Sequence, residues 1–349
     1  MHMADALLSP AVGATMWAGT AAVTGYASKR LKRQIDDRLI PLMGVLGAFI
    51  FAAQMINFTI PGTGSSGHLG GGMILAALLG PHAAFLVMAS VLTVQALFFA
   101  DGGLLALGCN IWNLGFYPCY LAYPFIYRPL TGRRGSPGRI LAASVLSVAA
   151  ALQLGAFSVV LETVLSGKSE LPFGAFALLM QPIHLAIGCV EGFVTAGVIS
   201  YVRGARPEIL ESIAAARPMG RGVSLRNLLI TFVVLAVIAG GALSRFASTL
   251  PDGLEWSIAK ITGGGGPAAE QGTVPAPGGI QGKTDVLPGY PSEPAGSAPN
   301  RGDAPAAWPE GKAGTSAAGV IGAVVCIGLI VLIGLGIRSF RGKRYGANP

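Results

Sequence analysis

The chain has 349 residues, 52% of them hydrophobic and 11% charged, with a formal net charge of +8 and a mean hydropathy of +0.62. Soluble domains carry roughly 25% charged residues, so less than half of the usual polar coat is present. A single soluble domain and a nucleic-acid binder are both excluded, and the composition reads as a polytopic membrane protein.

A helical crossing needs about 20 apolar residues, with a range of ~17–25. In chain order such runs lie at 9–28, 39–58, 82–100, 105–127, 140–164, 176–202, 225–247 and 317–337. A shorter run, 69–80, follows a glycine-rich loop. Basic residues gather in four groups, Lys29 to Arg38, Arg128 to Arg139, Arg203 to Arg226 and Arg338 to Arg344, which hold 18 of the 24 Lys and Arg. Cytoplasmic loops carry such an excess, and all four groups share one side only if the short run also crosses. The expected fold is an all-α membrane protein. It has a seven-helix bundle plus two additional transmembrane helices, with the N-terminus outside and the C-terminus inside. The +8 balance then averages a basic cytoplasmic face with an outer face holding ten of the 16 acidic residues.

Residues 1–204 form the seven-helix block, 205–224 a basic cytoplasmic connector, and 225–349 a two-helix block. The loop 263–316 within the last block is rich in Gly, Pro, Ala and Ser. Such a composition buries too little apolar area to offset ordering entropy, so flexibility is expected. Just before it, Leu250-Pro251-Asp252-Gly253-Leu254-Glu255-Trp256 reads as a turn leading into a short membrane-surface element. In the first helix Ala14, Ala18 and Ala22 repeat every four residues. Small faces let helix backbones approach closely, within this chain or against another subunit. No basic n-region precedes the first run, so no cleavable signal peptide is expected. The four cysteines lie in apolar runs without C-x-x-C spacing and read as small buried hydrophobes.

Four histidines remain to be explained: His2, His68, His82 and His184. A free amine, the backbone nitrogen of residue 2 and the Nδ1 of a histidine there chelate one ion through five- and six-membered rings. The planar nitrogen set suits Ni(II) or Cu(II). His68, in Pro61-Gly62-Thr63-Gly64-Ser65-Ser66-Gly67-His68-Leu69-Gly70-Gly71-Gly72, is the candidate fourth ligand, since glycines let that backbone bend tightly. Met1 should be retained after synthesis because His is bulky. Asn57 and Gln95, near the outer ends of their runs, are candidates to orient a ligand imidazole. His184 lies seven residues before Glu191, on one helix face. An intramembrane Glu is costly, and a bond to His or to an Asn or Gln is expected to satisfy it. His82 follows Pro81 in an expected cytoplasmic turn and reads as solvated.

At this point the residues resemble a known family. Met1-His2-Met3-Ala4-Asp5-Ala6-Leu7-Leu8-Ser9-Pro10, Gln54-Met55-Ile56-Asn57-Phe58, Ser66-Gly67-His68-Leu69-Gly70-Gly71 and Asp101-Gly102-Gly103 through Asn110 are similar to CbiM/NikM proteins. These are the substrate-binding membrane components of energy-coupling-factor transporters for cobalt and nickel. Pro251-Asp252-Gly253-Leu254-Glu255 between two helices resembles the small CbiN/NikN component, so the chain looks like a fusion. The resemblance implies Ni2+ or Co2+ as transported substrate, no organic cofactor, and ligands from Met1, His2 and His68. Ala4 and Ala6 replace the Pro and Gly frequent in the family, whereas Asp5 is kept. No phosphate loop occurs, and the resemblance implies a transmembrane coupling subunit (CbiQ/NikQ-like) and cytoplasmic ATPases (CbiO/NikO-like). The Ala14, Ala18 and Ala22 face is then a candidate docking surface for the coupling subunit, in a bacterial cytoplasmic membrane. A stand-alone facilitator or sensor is the alternative. An intramembrane metalloenzyme would need a His-Glu-x-x-His run, which is absent.

Overall fold

The computed structural model describes residues 2–132, 135–220, 224–263, 284 and 313–345. Met1 and nearly all of the 263–316 loop lie outside the described residues. The fold is almost entirely α-helical and multi-spanning. Among the described residues five helices are long and apolar enough to cross a membrane: Pro81–Phe99, Pro137–Ser166, Phe173–Ala205, Arg226–Phe246 and Thr315–Phe340. We number the helices α1 (Pro10–Gln34), α2 (Leu39–Gln54), α3 (Gly72–Leu79), α4 (Pro81–Phe99) and α5 (Leu107–Ile111). After these come α6 (Pro137–Ser166), α7 (Phe173–Ala205), α8 (Pro207–Ala214), α9 (Arg226–Val237), α10 (Gly253–Thr262) and α11 (Ala313–Tyr345).

Local chemistry sets these boundaries. Ser9 accepts the Val12 N–H and Pro10 occupies the first turn of α1, where a missing N–H costs nothing. Helix α5 continues through Trp112–Tyr127 with widened, π-type turns. Pro118 and Pro124 lie inside that stretch, and a proline removes one backbone donor and pushes away the preceding carbonyl. Helix α2 is buried on nearly every side, as a helix apolar all round should be. Helices α6 and α7 pair closely because Gly188 faces the Ala149 backbone and Gly192 faces Val145. Their outer faces leave Leu146, Leu165, Leu178 and Phe193 exposed, which suits contact with lipid.

The last long helix lies against α2. Gly44 meets Ile327 and Val331, Gly322 meets Phe51, and Gly240 of the wide turn after α9 meets Gly319. The basic groups converge at one end of the bundle. There Arg38 donates to the Gly220 carbonyl, Arg128 to Ala214 and Arg203 to Gly135, while Arg338 pairs with Asp37. Asp36 accepts the N–H groups of Arg38, Leu39 and Met219, which ties the connector to the start of α2. His82 is half-buried at this end, with Nδ1 3.0 Å from the Tyr120 hydroxyl. Its ring stands edge-on to Tyr26, so the expected solvated turn histidine is instead part of an aromatic cluster.

Candidate metal centre

The opposite end of the bundle carries the N-terminus, a hairpin and the His68 loop. Residues 2–8 turn into the bundle: Met3, Leu7 and Leu8 are buried. Asn110 accepts the Met3 N–H at 2.8 Å and donates to the Met3 carbonyl at 3.2 Å. Gly103 N–H also reaches that carbonyl. Asp5 accepts the Ala106 N–H at 2.9 Å, and its side chain fills the space that a Cβ on Gly103 would need. A backbone gripped at residues 3 and 5 leaves residue 2 little freedom.

His2 and His68 meet there. Their ring centroids are 5.0 Å apart and the planes differ by 23°. His2 Nδ1 lies 3.6 Å from Asp101 Oδ1, and His2 Nε2 is buried without a hydrogen-bond partner. Desolvating an unsatisfied polar atom costs about 1–3 kcal/mol, a cost that falls here on Nε2, while Nδ1 faces Asp101. His68 places Nδ1 3.0 Å from its neighbour's carbonyl, Leu69 O. A proton on Nδ1 leaves the Nε2 lone pair available to a metal, the usual tautomer logic of a ligating histidine. Burial, then the His2 and amino-terminal charges, push the His68 pKa down to about 4. It is therefore neutral at physiological pH, as a ligand must be.

The loop that presents His68 is fixed on both sides. Strand β1 (Phe58–Ile60) pairs antiparallel with β2 (Ser65–Gly67), and Gly62 and Gly64 at its turn have φ of +78°, open to glycine at no steric cost. Ser66 bridges to Asp252 in parallel fashion. Its N–H donates to the Pro251 carbonyl at 2.8 Å and its hydroxyl to Leu250 at 2.7 Å. Asp252 also caps α10, accepting from Leu254 and Glu255 in a capping box. Burial opposes its charge, but the amino terminus, the turn's hydrogen bonds, His68 and His184 outweigh that and hold the carboxyl at about 2. A cavity of about 10 Å³, room for one water, is lined by His68, His184, Asp252 and Gly253 among others.

Beyond His68, Glu191 accepts the N–H groups of Gly70 at 2.6 Å and Gly71 at 2.8 Å. The expected bond from Glu191 to His184 or to an Asn or Gln is therefore replaced by bonds to loop backbone. His184 places its own Nδ1 2.8 Å from Met180 O. Gln54 donates to the Gly70 carbonyl at 2.9 Å and Gln95 donates to Gln54 at 2.8 Å. Gln95 thus acts on the loop through Gln54, while the Asn57 carbonyl receives the Ser248 N–H. Ala14, Ala18 and Ala22 are exposed on α1, while Gly13, on another side of the helix, meets Leu105. Met1 lies outside the described residues. Among the described residues no three His, Cys, Asp or Glu side chains gather closely enough to hold an ion.

Sequence reasoning picked out His2 and His68 but missed the Ser66–Pro251 contact and the Asn113–Glu162 bond of 2.9 Å. Glu162 was legible as a lone acid in a long apolar run; the Ser66 contact joins residues 185 positions apart and leaves no local signal.

The chain is similar to known proteins in sequence and in structure. The family described as "Cobalt uptake substrate-specific transmembrane region" (CbiM) matches residues 2–209, and the PDGLE domain matches 226–339. A putative fused nickel transport protein NikMN of Archaeoglobus fulgidus is 36% identical over 250 residues, covering 72% of this chain and 78% of that one. The fused nickel transport protein NikMN of Rhodobacter capsulatus is 29% identical, covering 81% and 84%. A crystal structure of a transition metal transporter is 30% identical with a TM-score of 0.52, covering 61% of this chain and 98% of that one.

Proposed function

Because this chain belongs to the CbiM family of transmembrane metal-transport proteins, fused to a PDGLE domain, we propose that it captures Ni2+ or Co2+ for an energy-coupling-factor importer. The donors are the Met1 amine, the His2 amide nitrogen and Nδ1, and the His68 imidazole. The observation that carries this reading is the His2–His68 ring pair at 5.0 Å. In a Met-His chelate the three donors follow one another around a square, so the open corner adjoins the His2 imidazole. With metal–nitrogen bonds of about 2 Å, rings on adjacent corners lie roughly 4–6 Å apart, which the observed spacing matches.

The rest of the reading follows from charge and contact. The arginine-rich end faces the cytoplasm, so the N-terminus and the His68 loop face outward, with seven crossings in the first block and two in the second. Residues 1–204, 205–224 and 225–349 act as binding bundle, connector and accessory block. The tail's Pro251-Asp252 segment lies on the strand that leads into His68, where it assists loading or opening of the site. ATP energy comes from CbiO/NikO-like subunits through a CbiQ/NikQ-like coupling subunit. That subunit docks on the exposed Ala14, Ala18 and Ala22 face.

The test is uptake of labelled Ni2+ or Co2+ by cells expressing this chain with and without coupling and ATPase subunits. Accumulation that requires all of them is expected. Equal accumulation by the chain alone would favour the facilitator reading.

A further inference from the structure

We propose that Glu191 is a positioning residue that sets which ion the site prefers, by fixing the His68 loop against the helices. The proposal rests on the His2–His68 reading above. Left to its composition, Gly67-His68-Leu69-Gly70-Gly71 would follow whatever geometry an ion prefers, because glycine imposes little of its own. It is not left so. Strand β2 holds the chain before His68, and Glu191 takes the two N–H groups at Gly70 and Gly71 after it. Gln54 holds the Gly70 carbonyl, and Gln95 holds Gln54. One glycine is thereby tied to α7, α2 and α4 together.

The side chain doing this is nearly fully buried, at 2% exposure. A membrane helix carries a carboxylate only where something repays its desolvation, and here both oxygens accept charge-assisted bonds. A neutral Gln could not substitute: it offers one accepting oxygen, and its NH2 would confront the second N–H. Gly71 has φ of +78° beside Ile50, so the loop also cannot relax there without glycine.

A loop clamped this way keeps the fourth ligand, the His68 imidazole, in one place. A fixed in-plane corner favours an ion that accepts a planar nitrogen set, as Ni(II) does, over ions that prefer tetrahedral or octahedral surroundings. Loosening the loop lets the imidazole follow the ion. The preference then falls toward the smaller one that intrinsic affinity order alone gives.

The experiment is competitive binding of Ni(II) and Co(II), with the Ni(II) absorption spectrum, to the full chain in detergent with its native N-terminus. Glu191→Gln should weaken Ni(II) binding by about 10–100-fold, the usual effect of removing a group that orients a ligand. It should weaken Co(II) less and shift the planar Ni(II) band. His82→Ala removes an imidazole at the arginine-rich end that touches Tyr120 rather than the loop, and it should leave ratio and band unchanged. If Glu191→Gln does not fold, Gln54→Met removes the donor to Gly70 and should shift the ratio the same way by less. An unchanged Ni(II)/Co(II) ratio and band in the folded loop variant would overturn the proposal. Wild type carrying one added N-terminal residue separates the two failures. If it still binds Ni(II) tightly, the His2–His68 reading itself fails; if it loses binding while Glu191→Gln behaves as wild type, only the role of Glu191 fails.

Discussion

The two ends of the bundle each hold a histidine with an anchored Nδ1, yet they are built for different work. At the loop end, His68 stacks on His2 and several side chains nearby are committed to backbone: Asn110 to Met3, Asp5 to Ala106, Glu191 to Gly70 and Gly71. At the arginine-rich end, His82 reaches a tyrosine hydroxyl, and the surrounding cations bind carbonyls at loop ends. At the first end the committed side chains hold the backbone on either side of the two imidazoles; at the second they tie loops and helix ends to one another. This difference predicts where substitution should affect metal and where it should not.

The largest effect should separate the two histidines. His68→Ala should weaken Ni(II) binding by about 100-fold or more, beyond what loss of a ligand's supporting group costs, whereas His82→Ala should stay within about twofold. Titration of each purified variant decides, and equal losses would mean that the two ends are not functionally distinct. Next come the glycines. Gly103→Ala drives a methyl into Asp5 and should cost about 1–3 kcal/mol, the range for overpacking, with weaker metal binding. Gly138→Ala, with nothing within 4 Å, should be neutral or gain ~0.5–1 kcal/mol. Thermal unfolding of both variants checks this.

Acid should act through the loop end. In the metal-free protein the folded His68 stays neutral down to about 4, while the unfolded chain binds its proton near ~6.5. Its contribution to stability is therefore complete above the unfolded value and is lost as pH falls from there toward about 4. Unfolding temperatures across that window should fall less steeply in His68→Ala than in wild type; parallel curves would refute it. The smallest loss expected at the loop end is that of Ser66→Ala, which removes the bond to the Leu250 carbonyl and should cost about 1 kcal/mol, read as earlier melting.

How much of this could be read beforehand follows from the range of each interaction. The apolar runs located the helices because burial in lipid acts on twenty neighbouring residues at once. Helix α1 runs to Gln34, past the expected end at 28, because its last basic turn can leave the bilayer without unwinding. The widened turns between Trp112 and Tyr127 were marked only by Pro118 and Pro124. His2 and His68 stood out because so few polar residues compete with them. Glu191 was visible as an anomaly, but its partners were not: backbone N–H groups 120 residues away carry no side-chain signature.

The most direct test of the central claim is Ni(II) binding by the full chain with a free amino terminus, compared with the same chain acetylated there. A chelate through the Met1 amine and the His2 amide nitrogen predicts tight binding with a planar absorption band for the free form, and loss of both on acetylation. Equal affinity and an unchanged band in the acetylated chain would contradict it.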